Sequence, residues 1–493
     1  VYYESYFVRF LHRKSSYYGT KGDFNAQLGN YHTLKAGFDA QRHTLRRYEN
    51  LNATQVLSDV RVNTYGFTQD AKESDSKEYI NALKHPINLG LFLQDRFEWR
   101  GLVINAGIRF DYFDYQALKI KDLANPLDPD NATGLDTLDV DDLEDSEVFT
   151  RFSPRLGIGF PISDKTQFHI NYGKMYQRPN LEDLYVGYDF FAARVKDGGY
   201  YFPFPSPNLE PEQTTQYEVG ITHQLGMNTA FGITAYYKDV QGLTQIFHQT
   251  ADPNQYDFYA NTDFGTIKGV DFNLTMRRTR NMRINLNYTI SWATGTGSYS
   301  QSTYNVAWKN PKFPPKATNP LDYDQRHNIT GVLDIRTEKG DGPKIGEIFP
   351  LENFSFNALI QLASGTPYSP TLPYDAAREG ISVSQQPTGA VNSATMPWNM
   401  NVDLKIERTF KINDNYTIVP YLWIQNVFGT ENVYGVYEGT GEANVTGYLE
   451  SVEGLGWVNS HTDDEIAQYR LKENNPKNYG KPRIIMLGVK MSF

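Results

Sequence analysis

Apolar and polar residues alternate one for one through much of this chain, in segments of about 9 to 13 residues. In Arg283–Trp292, RINLNYTISW, one face carries Ile284, Leu286, Tyr288, Ile290 and Trp292. The other carries Asn285, Asn287, Thr289 and Ser291. Met400–Glu407 sets Met400, Val402, Leu404 and Ile406 against Asn401, Asp403, Lys405 and Glu407. Leu102–Tyr112, Phe354–Leu362 and the closing PRIIMLGVKMSF repeat the design. Successive strand residues point to opposite faces, so each segment predicts a strand with one apolar face.

The length and rhythm of these segments narrow the architecture. About 9–11 tilted strand residues cross a bilayer, with apolar side chains toward lipid and polar ones toward the lumen. A soluble sandwich also alternates, but charges such as Asp403, Lys405 and Glu407 in mid-strand suit a wet interior better. Short turns are expected at 29–31, 100–101, 162–165, 226–228, 280–282 and 412–415. Long connections are expected at 42–85, 114–150, 178–212, 248–262, 295–324, 366–398 and 429–481. Short and long connections in strict alternation are the habit of outer-membrane barrels. The segment 337–353 breaks the rule by being long on the short-turn side.

The scheme gives fifteen strands from Gly22 to Phe493 and a sixteenth within Tyr3–Lys14. The fold class is therefore all-β, a transmembrane antiparallel barrel. Two residues depart from the pattern. Asp95 would point to lipid, and Pro420 lacks a ladder donor; both predict bulges.

Composition agrees. The 493 residues include 35 Tyr, 29 Phe, 6 Trp and 39 Gly, with no cysteine, a net charge of -10 and a mean hydropathy of -0.55. Aromatic girdles account for the tyrosine excess. No apolar run reaches the length of a transmembrane helix. The acidic balance argues against nucleic acid as partner. The first residues lack a charged start followed by an apolar stretch, so a removed export signal or a later start is expected.

Several segments, in order, resemble TonB-dependent outer-membrane receptors, and within them the Oar-like branch of Bacteroidota. They include YHTLKAGFDAQRH (Tyr31–His43), NYGKMYQRPNLEDLY (Asn171–Tyr185) and PNLEPEQTTQYEVGI (Pro207–Ile221). DYDQRHNITG (Asp322–Gly331), SGTPYSP (Ser364–Pro370) and IQNVFGTENVYGVYEGTGEANVTGYL (Ile424–Leu449) continue the series. NNPKNYGKPRIIMLGVKMSF closes it. The resemblance implies a ligand importer with 22 strands around an N-terminal plug, energised by TonB with ExbB and ExbD. No plug and no TonB box occur here, so residues 1–493 are expected to be the C-terminal part of such a barrel, about 16 strands of a probable 22. A complete passive 16-stranded porin is the alternative. A third is a barrel that serves a surface or export complex, with surface lipoproteins among its partners. Outer-membrane lipid surrounds the wall in every case. The terminal Phe493 resembles the signal read by the outer-membrane assembly machinery.

No catalytic constellation is evident, so an enzyme is not expected. The nine histidines show no metal-ligand spacing, and no nucleophile elbow or phosphate loop occurs. His327 is expected on the lipid face in a structural role. Arg109, Asn285, Asp403 and Lys405 are expected to line the lumen. The acidic stretch 126–147 has oxygen ligands suited to calcium, but not the spacing of a calcium loop; a solvated loop is the first expectation. No cofactor is expected. The ring-rich connection 178–212 is the main ligand candidate, through Tyr185, Tyr188, Phe190, Phe191, Arg194, Tyr200 and Tyr201. The competing expectation is that these rings pack the loop onto the rim. The stretch 429–481, with Tyr434, Tyr437, Tyr448 and Trp457, is a second candidate.

Overall fold

The computed structural model describes residues 10–50, 61–68, 71–75, 82–127, 138, 141–198, 203–302, 317–375, 377, 386–413 and 415–493. Fifteen long strands form the wall. The first five are β1 (Phe10–Leu28), β2 (His32–Asn50), β3 (Ile87–Trp99), β4 (Leu102–Asp114) and β5 (Val148–Ser163). Then come β6 (Thr166–Gln177), β7 (Glu212–Gln224), β8 (Thr229–Gln249), β9 (Tyr256–Thr279) and β10 (Met282–Gly295). The last five are β11 (His327–Arg336), β12 (Phe354–Ala363), β13 (Asn399–Arg408), β14 (Thr417–Gln425) and β15 (Ile484–Ser492). Each pairs antiparallel with the next in the chain. The series runs unbroken to β14–β15. With three short segments they make one sheet of 18 strands. Among the described residues, the outer edges of β1 and β15 enter no pairing.

Short connections gather on one rim, where 337–353 is the long exception, and long ones on the other. The long connection expected at 248–262 is not one: β8 continues to Gln249 and β9 begins at Tyr256, so only 250–255 join them, because both strands run on past the bilayer. Arg100 and Gly101 join β3 to β4 with φ of 48° and 88°, the two positive values of a type I′ hairpin turn. The sixteenth strand differs from expectation. Phe10–Lys14 do not form a strand of their own; they continue β1, which pairs with β2 without interruption from Phe10 to Leu28. Tyr3 to Arg9 lie outside the described residues. Alternation by itself cannot mark where one strand ends, and Ser15–Gly22 contains no turn that would divide it.

Neither predicted bulge occurs. Asp95 keeps its register with Leu34 and Ala106, and its Oδ2 lies 2.7 Å from His32 Nδ1 near the short-turn rim. A polar partner at the interface makes the outward carboxylate tolerable without a shift. At Pro420 the β13–β14 ladder lapses, then resumes at Phe410–Ile418 in the same register. The missing N–H costs hydrogen bonds but no residue is inserted.

Register fixes which residues face lipid. Ile485, Leu487, Val489, Met491 and Phe493 share the outer face of the last strand and its end, and all are exposed. Rings girdle the outer surface. Tyr172, Tyr217 and Tyr237 follow one another at 5.3 and 6.4 Å. Phe272, Tyr288, His327 and Trp398 form a stacked row at 5.6, 6.1 and 5.3 Å. His327 thus sits in the aromatic belt, with Nδ1 3.0 Å from the Tyr288 hydroxyl.

Inside, glycine makes room for large polar side chains. The Tyr421 ring covers Gly488, where an added Cβ would lie 2.4 Å from the phenol carbon Cζ. Lys405 and Lys490 stand over the same ring at 5.3 and 5.6 Å, and both reach Glu407. Gly488→Val should therefore lose about 1–3 kcal/mol through overpacking. The expected readout is a lower fraction of heat-modifiable, SDS-resistant barrel; an unchanged fraction would show that the ring moves freely aside.

Candidate functional site

The hydrophobic core sits in a cap over the long-loop mouth. The cap grows out of the wall. β8 and β9 run for 21 and 24 residues, beyond what a bilayer requires, and carry Ile246, Tyr256, Phe258 and Tyr259 above it. A register shift at Gly242, with φ of 70°, re-aims the upper part of β8. The helix α1 (Tyr188–Asp197) lies in the connection after β6. Its Tyr188, Phe190, Phe191 and Val195 pack with Leu118, Leu143, Phe204, Tyr256 and Phe258. Tyr185 and Leu184 enter a second cluster with Leu45, Tyr65, Phe113, Tyr115 and Phe149.

This placement corrects the ligand platform expected of those rings. Tyr185 is 1 % exposed, Tyr188 2 %, Phe190 8 % and Phe191 1 %. They offer no face to a ligand, because burying rings against rings is what gives the connection a fixed shape. Their hydroxyls are tied inward as well. Tyr185 donates to the Tyr115 carbonyl at 2.8 Å, and Tyr188 donates to the Leu118 carbonyl. Arg194 is half-buried and lies over the Phe190 ring at 5.1 Å. Tyr200 and Tyr201 lie outside the described residues.

An ion-pair cluster clamps the cap to β1 and β2. Arg47 contacts Glu49 at 2.7 Å and Glu182 at 3.3 Å, and Arg13 reaches Glu182 at 3.0 Å. Burial works against the Arg47 charge, but the Glu49 carboxylate, with Tyr65 and Glu182, holds its pKa above the ordinary value. Asn261 ties the descending end of the cap: it accepts from Glu210 N at 2.8 Å and donates to the Gly242 carbonyl at 2.6 Å. Burial pushes the Tyr65 hydroxyl up to about 12 and raises those of Tyr115 and Tyr185 as well.

The wall beneath the cap has a polar face, and Arg109, Asn285, Asp403 and Lys405 lie on it, opposite the exposed apolar side chains. Arg109 donates to Asp111 at 2.8 Å and lies against Gly90. Asn285 accepts from Thr275 at 3.1 Å. Asp403 accepts from Asn401 Nδ2 at 3.0 Å and from the Asn426 backbone at 2.9 Å. Lys405 pairs with Glu407 at 2.5 Å. A recess of about 630 Å³ opens on this wall, lined by Lys35, Gln94, Arg109, Arg155, Asn171 and Gln216 among others. Such a surface can hold a hydrated ligand or a folded polar domain.

In the acidic stretch 126–147, residues 128–137, 139 and 140 lie outside the described residues. Of the rest, Glu144 and Glu147 each pair with Lys119 at 3.2 Å. The second loop candidate, 429–481, forms two short helices, α2 (Val452–Val458) and α3 (Asp463–Glu473). There Tyr448, Trp457 and Tyr469 pack together, the Tyr437 hydroxyl donates to the Glu473 carbonyl at 2.8 Å, and Tyr434 is exposed.

A wall of consecutive antiparallel strands, apolar outside and polar inside, with an ordered cap at one mouth, defines an outer-membrane receptor-type barrel. Residues 2–427 match the family described as TonB dependent receptor-like, beta-barrel. The chain belongs to that family of outer-membrane receptors and transporters, which are not enzymes. It is 23% identical over 192 residues to the TonB-dependent heme receptor A of Haemophilus influenzae, covering 37% of this chain and 22% of that one. The ferric enterobactin receptor of Pseudomonas aeruginosa superimposes with a TM-score of 0.53 at 13% identity, over 98% of this chain and 54% of its own. The FrpB iron transporter of Neisseria meningitidis gives a TM-score of 0.51 at 12% identity, over 86% and 52%. At that identity the likeness is one of fold. The chain spans about half the length of these solved structures.

Two measurements test the cap. Glu49→Gln should leave the buried Arg47 short of its main partner, a loss of about 3 kcal/mol. Amides of 181–191 should then exchange roughly a hundredfold faster; unchanged exchange would remove the clamp role. Lys84, 5 % exposed, has its pKa lowered from 10.5 to about 8 by burial. Just above pH 8 the opened cap holds a proton that the closed cap does not, so protection should rise from pH 8 to about 9, before the raised hydroxyls of Tyr65, Tyr115 and Tyr185 reverse the slope near pH 10. Lys84→Met should abolish that slope and tighten the cap at neutral pH.

Proposed function

We propose that the chain forms the wall and capped outer mouth of a receptor that takes up a ligand across the outer membrane, driven by TonB with ExbB and ExbD. The observation that carries this is the pairing of a polar inner wall with a cap folded on its own core at the long-loop rim. A passive pore needs a wet lumen but not an ordered structure over its entrance. Family membership supports the same reading. The open edges of β1 and β15 among the described residues favour further strands in the whole protein, since unpaired backbone facing lipid costs several kcal/mol per group. A lumen-filling plug would rest on the wall that carries Arg109, Asn285, Asp403 and Lys405. The Oar-like segments favour the Bacteroidota branch.

The test has three parts. The denatured polypeptide from cells should run well above the 56.3 kDa of these residues. In planar bilayers the purified protein should stay closed. Medium depletion should be lost alike in strains lacking the receptor or TonB. A steady open conductance, or uptake that persists without TonB, would replace this reading with the passive porin.

A further inference from the structure

A pocket of about 190 Å³ opens at the capped mouth, between the start of the 178–211 connection and the upper ends of β7, β8 and β9. Asp183, Glu212 and Asp263 line it, with Arg178, Tyr299 and Tyr323. Three carboxylates against one guanidinium leave a formal balance of -2 (−3 + 1) among these residues. The pocket is smaller than the roughly 300–1,000 Å³ of sites for drug-sized ligands, so it suits one functional group on a short stem.

The carboxylates are held but not neutralised. Asp263 is 5 % exposed. It accepts from Gln245 Nε2 at 3.0 Å and weakly from Thr262 at 3.4 Å, both uncharged groups. Glu212 accepts from the Thr244 backbone at 3.1 Å. Asp183 accepts from Asn180 Nδ2 at 3.3 Å, and burial raises its pKa. Among the described residues none of the three has a cation within ion-pair distance. Arg178 does not fill that role. Its charge lies beside Tyr115 and Tyr185 in the aromatic core, and its Nη1 is buried without a hydrogen-bond partner. Arg47 acts on Asp183 from beyond ion-pair distance. A half-buried carboxylate with no cation in contact is costly and gains most from one that arrives from outside.

The complement is organic rather than metallic. Among the described residues no three His, Asp or Glu side chains come close enough to share a metal ion. The acids are spread around the cavity, which matches the several N–H donors of a guanidinium or ammonium group. At the opening Tyr299 and Tyr323 are 61 % and 53 % exposed, and aromatic faces attract such cations.

We propose that this pocket is a subsite for an organic cation, the guanidinium or ammonium group of a small amine or of a basic peptide. The inference deepens the uptake reading by naming a ligand class and rests on it only for the direction of movement. Titration calorimetry on the full-length receptor in detergent tests it. The probes are agmatine, the tripeptide Gly-Arg-Gly, neutral butylurea and citrate. Agmatine or the tripeptide should bind saturably, and which of them binds tells a free amine from a peptide. Butylurea and citrate should not bind. Asp263→Asn and Glu212→Gln should each weaken binding about tenfold or more, the usual loss for a charged hydrogen bond. Glu212→Gln, at a less buried position, carries the test where Asp263→Asn does not fold. Absence of saturable binding by both cations, binding unaltered in the folded variants, or preference for citrate would overturn the proposal. Any of these would leave the conductance and TonB results of the uptake reading untouched.

Discussion

Every backbone N–H and C=O that crosses hydrocarbon must find a partner within the protein. The rest of this structure follows from that constraint. It forces the wall into strands that pair with their neighbours in chain order. It keeps the register of β13 and β14 on both sides of Pro420, where two pairs are given up. It also makes period-two alternation inescapable, because a one-residue slip would turn Ile485, Leu487 and Val489 into the lumen and Lys490 into lipid.

Once the wall is fixed, its two ends are free to differ. Apart from 337–353, the short-turn rim does little beyond reversing the chain. At the other rim β8 and β9 continue past the bilayer, and the same alternation that served lipid there serves a water-soluble core. Tyr256 and Phe258 meet the rings of α1, and Tyr259 meets Tyr185 and Leu209. The cap is in effect a small soluble domain built on barrel strands, clamped by Arg47, Glu49 and Glu182. Burial of its rings leaves a polar fringe, and that fringe includes the acidic mouth pocket.

Much of the fold was legible in the sequence, because a strand between lipid and lumen writes its two environments into alternate residues. Arg109, Asn285, Asp403 and Lys405 were readable as members of the polar face for that reason. The cap was less legible. Rings in a connection announce burial or binding equally, and Tyr185, Tyr188, Phe190 and Phe191 were resolved only by what packs on them. The unusual length of alternation in Tyr256–Thr279 was the available signal that strands outrun the membrane.

The sequence by itself determined the architecture, the sidedness of each strand and the order of neighbours, all consequences of local period and of pairing between adjacent segments. Only the tertiary structure decided what the mouth looks like. Asp183, Glu212 and Asp263 are far apart in the chain and share no motif. They become one pocket because the bulge at Gly242, the anchor at Asn261 and the clamp at Arg47 bring the connection after β6 against the upper parts of β7 and β9. Such long-range contacts depend on the summed packing of many side chains, and no window of sequence contains them.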